Sequence, residues 1–443
     1  MLNCFYSWNS ICTLANMKSF LVIVFFFLTL GSFSQVEYVN TKVLEYRNMN
    51  YEKQINSVLL YRKGDILSLP NIPLGGNGQL ALLFDDFNTE IQDYMVSFIH
   101  CTPDWKPTGL DYMQVVDGID HQYITDYDFS GPTKQRYLQY RFEFPNESAQ
   151  FRLSGNYLLL VYRNEDKSDL ILTRRFMVTE SRIRASVDIH QATINKDYRR
   201  RQEVDLILRP GAFRMENIYE NLEVQILQNG RWDNMVSGLK PLFIKPDELD
   251  YDYDEENTFE GGNEYRLFDT RPTSFNGLNV GKVGQQSDTN IVFLTLGERR
   301  NIRAYRDYDD LNGRVLYDVQ DERYSSPTDM DYHLVYFSLP QPYEFPGGKV
   351  YLMGEFTGNE IKEEFQMKYN EEQKIYFGKA YLKQGYYNYI YLFVPDGESA
   401  GQARQLEGTH AATENMYSIL VYYKSIHEDH HRLIFFENYR INF

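Results

Sequence analysis

Apolar and polar residues alternate along most of this chain with a period of two. Across 137–144, Leu138, Tyr140, Phe142 and Phe144 fall on one face and Gln139, Arg141 and Glu143 on the other, as in a strand with one side buried. Leu222, Val224 and Ile226 alternate with Glu223 and Gln225 in the same way. Comparable runs cover 80–84, 157–162, 170–178, 204–208, 332–339, 386–394, 417–423 and 433–436. Turn pairs punctuate them: Asn77-Gly78, Gly155-Asn156, Asn229-Gly230, Asn312-Gly313 and Gly347-Gly348. No segment keeps a helical stripe for four turns. Many short strands separated by turns predict an all-β chain, a tandem of immunoglobulin-like β-sandwich domains, and exclude a doubly wound parallel sheet.

Two breaks divide the strand sets. The polar stretch 179–184 follows the apolar run that ends at Val178, and Leu339-Pro340-Gln341-Pro342 precedes Phe345-Pro346-Gly347-Gly348. Proline cannot donate in a ladder and stiffens linkers. The expected domains are therefore 36–180, 181–340 and 341–443, in keeping with 443 residues at roughly 150 per domain.

Residues 1–34 read as a leader. Lys18 follows Met17, an apolar run covers 20–30 with only Thr29 interrupting it, and Gly31-Ser32-Phe33-Ser34 closes the segment. This is the pattern of a secretory signal peptide cut after Ser34, with Met17 as the true start. The run is too short to span a bilayer, which needs about 20 apolar residues. Cys4 and Cys12 leave with it, so Cys101 remains alone and no intrachain disulfide can form. Its neighbours read as a strand end, which makes it a small buried hydrophobe.

Composition changes the picture in two ways. Aromatic residues reach 16%, which suits pleated surfaces. Removing 1–34 takes away only Lys18, leaving 44 basic against 62 acidic residues and a net charge of −18. Such an acidic chain is a poor partner for nucleic acid.

The candidate chemistry is thin. His427-Glu428-Asp429-His430-His431 satisfies H-E-x-x-H, but that motif binds zinc only on a helix, where residues four apart converge. Here it lies between two strand-like runs, and only 12 residues follow it; a polar hairpin loop is expected. The segment from Asp250 to Glu256 begins like a calcium loop yet has Glu255 at the sixth position and Gly261 at the twelfth, where glycine and glutamate are required. A solvated acidic loop is the simpler reading, as a turn is for the segment from Asp307 to Gly313. Arg199-Arg200-Arg201 reads as a loop donor of salt bridges. No catalytic, cofactor-binding or metal-ligating residues are assigned, no cofactor is expected, and the protein is read as non-enzymatic.

Five segments together resemble one family: the stretch from Phe98 to Trp105, that from Leu172 to Val178, that from Gln228 to Asn234, that from Gly261 to Arg266 and that from Leu382 to Tyr389. They are similar, in order and over essentially the whole chain after the leader, to the plug proteins of the type IX secretion system of Bacteroidetes. The resemblance implies a periplasmic β-protein, peripherally associated with the outer membrane, that closes the periplasmic mouth of a large outer-membrane translocon barrel. It implies that barrel as the partner, a chain with no membrane-spanning segment and a monomer before docking. The last domain also resembles early-set immunoglobulin-like domains related to glycogen-binding modules, through Val350 to Phe356 and Gly385 to Val394. Those modules stack sugars on tryptophan, and Thr357 to Ile361 holds none. A periplasmic or surface carbohydrate-binding module is the alternative reading.

Overall fold

The computed structural model describes residues 42–441 apart from 322, 324 and 325; the expected leader at 1–34, with Cys4 and Cys12, lies outside the described residues. The alternating runs form strands, among them Leu80–Asp86, Leu138–Phe144, Gly155–Arg163, Asp166–Thr179, Arg201–Arg209, Leu222–Gln228, Tyr332–Pro340, Gly385–Pro395, Asn415–Tyr423 and Arg432–Ile441. The helices are single turns such as Tyr112–Val115 and Arg404–Glu407, and none of the described helices is long and apolar enough to cross a membrane. The fold is all-β, built from several sheets.

Three apolar cores organise the sheets. In the first, a sheet ordered Met49–Asn50, Asp166–Thr179, Gly155–Arg163, Tyr94–Cys101, Gln122–Tyr123 faces one ordered Ile55–Arg62, Leu80–Asp86, Leu138–Phe144, Asp126–Phe129. Phe84, Phe98, Leu138, Tyr140, Phe144, Leu159 and Phe176 close the space between them. Each such fully buried side chain contributes roughly 1.5–3 kcal/mol relative to exposure, which is why the period-two pattern is so strict here.

The second core joins distant parts of the sequence. One sheet runs Arg184–Gln191, Arg201–Arg209, Glu248–Tyr251, Phe243–Lys245; the facing sheet runs Arg231–Leu239, Leu222–Gln228, Asn415–Tyr423, Arg432–Ile441. Val204, Leu206, Val224, Ile226, Ile419 and Val421 pack between them. The third core lies within the sheet Arg266–Asp269, Gly385–Pro395, Gly348–Met353, Gln366–Asn370, Ile375–Lys383, Tyr332–Pro340, Thr289–Leu294, Val280–Gln286, around Phe268, Phe337, Leu352, Tyr387 and Tyr391.

This arrangement corrects the boundary expected at 340. Pro340 ends the strand Tyr332–Pro340, where it pairs with Ile375, so the proline pair marks a strand end inside the third body. That body spans about 266–406, and the two final strands return to the middle one. A strand terminus tolerates proline as readily as a linker does; the residue alone does not separate the two.

A second correction concerns Gly155-Asn156, expected as a turn. Both residues lie in the strand Gly155–Arg163. Gly155 has φ 138°, and a Cβ there would sit 2.6 Å from His100 Nε2, so glycine is demanded by close approach rather than by a turn. Asn229-Gly230 does turn: φ is 53° and 69° at the two positions, the left-handed pair that joins Leu222–Gln228 to Arg231–Leu239.

Candidate functional site

The segments singled out by resemblance converge on the junctions between the three bodies. At the first, Trp105 and Trp232 meet edge to face with centroids 5.0 Å apart. The Arg175 guanidinium lies 4.6 Å from the Trp105 ring and 5.6 Å from the Trp232 ring. Burial pushes Arg175 down to about 10, and Glu360 of the third body answers its charge at 3.7 Å. A cation held between two indoles and desolvated is worth on the order of 2 kcal/mol. The cavity beside them, lined by Leu69, Trp105, Arg174, Arg175, Trp232 and Arg314, holds about 70 Å³, room for a few waters at most. Both described tryptophans are thus consumed by packing, whereas a carbohydrate module would present them as open platforms.

The junction between the first and third bodies is ionic. Lys383 Nζ reaches Asp85 Oδ2 at 2.7 Å, and each side chain is 1% exposed. The Tyr332 hydroxyl donates to the same oxygen at 2.7 Å, and Gln139 Nε2 donates to Asp85 Oδ1 at 3.0 Å. Gln139 therefore departs from the sequence pattern: it is buried at this junction, whereas Arg141 and Glu143 on the same face stay partly exposed. The Tyr137 hydroxyl donates to the carbonyls of Thr328 and Met330, each at 2.9 Å. Where the chain passes from the middle body to the third and back, Gln202 Nε2 donates to the Ala411 carbonyl at 2.8 Å and Asn415 Nδ2 to the Gly261 carbonyl at 2.8 Å. Across the two bodies, the Gly401 N–H donates to Asp233 Oδ2 at 3.0 Å.

The connection from the first body to the middle one is clasped by Glu180. Its backbone N–H donates to the Leu433 carbonyl at 2.8 Å, and that of Arg182 to Ile434 at 3.0 Å. The carboxylate accepts from Arg432 Nε at 2.9 Å, from Arg182 Nε at 2.6 Å and from the Ser154 hydroxyl at 2.7 Å. Burial alone would raise this carboxyl, but those donors outweigh it and hold it down at about 2. A carboxyl depressed in the fold stabilises it above its unfolded value of 4.5 and loses that contribution as the pH falls towards 2. Glu180→Gln is therefore expected to cost about 1–2 kcal/mol at pH 7 after allowance for solvent screening. The same substitution should flatten the stability profile between pH 4.5 and 2, read by urea unfolding at stepped pH; an unchanged acid limb would refute the clasp.

The motifs found in the sequence are placed as follows. His427 to His431 occupy the loop of the hairpin between Asn415–Tyr423 and Arg432–Ile441, so the helical convergence of His427 and His431 is missing. It is His430 that approaches another histidine, His100, with ring centroids 5.7 Å apart. His100 is buried at the end of Tyr94–Cys101 and is lowered to about 4 by that burial. Cys101 is buried, and burial pushes its thiol up to about 12, which leaves it unreactive. In the loop from Asp250 to Glu256, Asp252, Asp254, Glu255 and Glu256 are exposed. Arg201 reaches Glu260 at 3.2 Å. One cluster escaped the sequence: His190, Glu203 and Asp205 bring ligand-type atoms within 4.8 Å of one another. They lie 13 and 15 positions apart on two strands, and only the register joins them.

Large apolar side chains remain exposed in several places. Phe293 stacks on Tyr336 with centroids 4.9 Å apart, in a cross-strand row that runs Lys282, Phe293, Tyr336, Lys379. Leu242, Phe243 and Ile244 are exposed at the sheet edge formed by Phe243–Lys245.

Fold and junctions define a class: a tandem β-sandwich protein whose bodies are locked together and whose aromatic residues serve packing. The family described as Type 9 secretion system plug protein 1st domain matches residues 55–180. The chain belongs to the type 9 secretion system plug protein family. A crystal structure of a hypothetical protein from Parabacteroides merdae ATCC 43184 is similar over 90% of this chain and 100% of that one, at 32% identity and a TM-score of 0.87. No curated protein matches the chain.

Proposed function

We propose that this protein is a periplasmic plug that docks on the periplasmic opening of the type IX outer-membrane translocon and seals it when no cargo is in transit. The observation that carries the reading is the coincidence of family membership with the junctions: the resemblance segments supply Trp105, Arg175, Trp232 and Lys383, which hold the three bodies together. A stopper must resist deformation, and a body with a buried ion pair and caged guanidinium at its seams is stiff. A plug must also come out again, so its contact should be non-obligate, with a few aromatic anchors inside a polar rim. Exposed residues such as Phe293 and Phe243 are of the type such anchors use. Under this reading the protein is exported, peripheral to the outer membrane and non-enzymatic.

The test is capture. Tagged protein expressed in its own cells and recovered from detergent-solubilised outer membranes should bring down one very large β-barrel protein, identifiable by mass spectrometry. Recovery should fall as the salt in the wash rises, because rim charges on an acidic body are screened. Absence of any barrel from the eluate would remove the docking reading.

A further inference from the structure

The geometry points to a zinc site on the outer face of the middle sandwich, with His190 Nε2, Glu203 Oε1 and Asp205 Oδ2 as protein ligands and water in the remaining position. Arg184–Gln191 and Arg201–Arg209 pair in antiparallel register, with His190 directly opposite Glu203 and Asp188 opposite Asp205. Val204, Leu206 and Leu208 point into the core, so Glu203 and Asp205 share the other face with His190. The spacing is that of a compact ligand set: Nε2 stands 2.8 Å from Asp205 Oδ2 and 3.9 Å from Glu203 Oε1. All three ligand atoms lie within 4.8 Å of one another, so a metal at about 2.0–2.2 Å from each is reached by opening the His190–Asp205 contact and drawing the side chains in around it.

Each ligand is held from behind, as metal ligands are when their other atoms are hydrogen-bonded. His190 Nδ1 lies 2.8 Å from the Gln191 carbonyl. A carbonyl only accepts, so Nδ1 carries the hydrogen. Asn257, fully buried, donates its amide to Asp205 Oδ1 and to the Val204 carbonyl, both at 2.8 Å. Glu203 accepts from the Thr193 N–H at 2.7 Å and from its hydroxyl at 3.1 Å, which explains how a carboxylate comes to be 1% exposed.

The electrostatics call for a cation at the centre. With the Nδ1 hydrogen spent on Gln191, Nε2 would turn a lone pair on two carboxylates, and only a second proton or a metal between them makes that contact favourable. Among the described residues the nearby cations are engaged elsewhere: Lys196 with Asp197 and Glu255, Arg201 with Glu260. Asp252, in the acidic loop, adds negative charge beside Asp205. One imidazole with two carboxylates is a donor set for zinc rather than for calcium or magnesium, which take oxygen ligands. The His190 side chain is 34% exposed, which leaves a path for entry and a coordination position for water. Bound there, zinc would cross-link Arg184–Gln191, the outermost strand of its sheet, to its neighbour.

The test uses the full chain without its leader and with any affinity tag removed, stripped with chelator, desalted and titrated with zinc chloride by calorimetry and by thermal unfolding. One zinc per chain and a raised Tm are expected. His190→Ala and the near-isosteric Asp205→Asn should each weaken binding by tenfold or more while circular dichroism stays unchanged. His431→Ala, in the hairpin loop, should bind as the parent does. Calcium chloride at the same concentration should leave Tm unmoved. Absence of stoichiometric zinc, retention of full affinity in His190→Ala, its loss in His431→Ala, or a calcium-only response would each overturn the site.

Discussion

Replacing Lys383 by methionine is expected to destabilise the protein by about 3–5 kcal/mol, the usual cost of removing one partner from a buried ion pair. The methylene stem keeps its place and volume, so the loss is electrostatic rather than a cavity. Asp85 would retain hydrogen bonds from Tyr332 and Gln139 but lose the only full positive charge recorded against it among the described residues. The Lys383 ammonium also sits 4.3 Å from the Tyr137 ring, a further attraction that methionine does not reproduce. Burial pulls the pKa of Lys383 down, a sign that desolvation is heavy and that the Asp85 charge is what keeps the ammonium in place. The double variant Asp85→Asn/Lys383→Met removes both charges while leaving an acceptor for Tyr332 and a polar partner for Gln139. It should recover most of the loss. Urea unfolding of the three variants decides: if Lys383→Met unfolds with the parent's midpoint, or the double variant is no better than the single one, the pair does not hold the junction.

The strands were legible because a sheet with one buried face writes its periodicity directly into the sequence. Leu138, Tyr140, Phe142 and Phe144 are all buried, as the alternation requires. Facing is a local property; partnership is not. Nothing in the run 417–423 says that it pairs with Leu222–Gln228, or in 433–436 that it extends that same sheet, rather than joining the nearer strands of the third body, so the final boundary was misplaced. Gln139 was read as solvent-facing because a polar residue buried against another body looks the same in sequence as one in water. The His190 cluster was invisible for a related reason: its three residues carry no spacing signature, and register alone unites them. The zincin-like run was visible but not meaningful, since its geometry depends on a helix and the chain makes a hairpin there. Resemblance reached further than periodicity because it had sampled the seams. Trp105, Arg175, Trp232 and Lys383 have no pattern of their own, yet they fix how sandwiches of ordinary construction are assembled.

That assembly bears on the largest cellular effect expected. If the protein seals the translocon, deleting its gene should admit large hydrophilic antibiotics that the intact outer membrane excludes, and it should do so only in cells that keep the translocon barrel. The conditional matters, because a general envelope defect would raise permeability in both backgrounds, whereas an unstoppered pore exists only where the pore does. Lys383→Met offers a graded version. Loosening the joint between the first and third bodies raises the population of opened conformers by a factor set by the same few kcal/mol, and each opened conformer is a leaking plug. Cells carrying the variant at parental abundance should therefore be intermediate in sensitivity, with Asp85→Asn/Lys383→Met closer to the parent. Antibiotic susceptibility, measured with and without the barrel gene and normalised to the amount of plug on immunoblots, reads all of these together. Equal sensitivity of the deletion strain and its parent would rule out sealing, while sensitivity that persists without the barrel would assign the protein to envelope integrity at large.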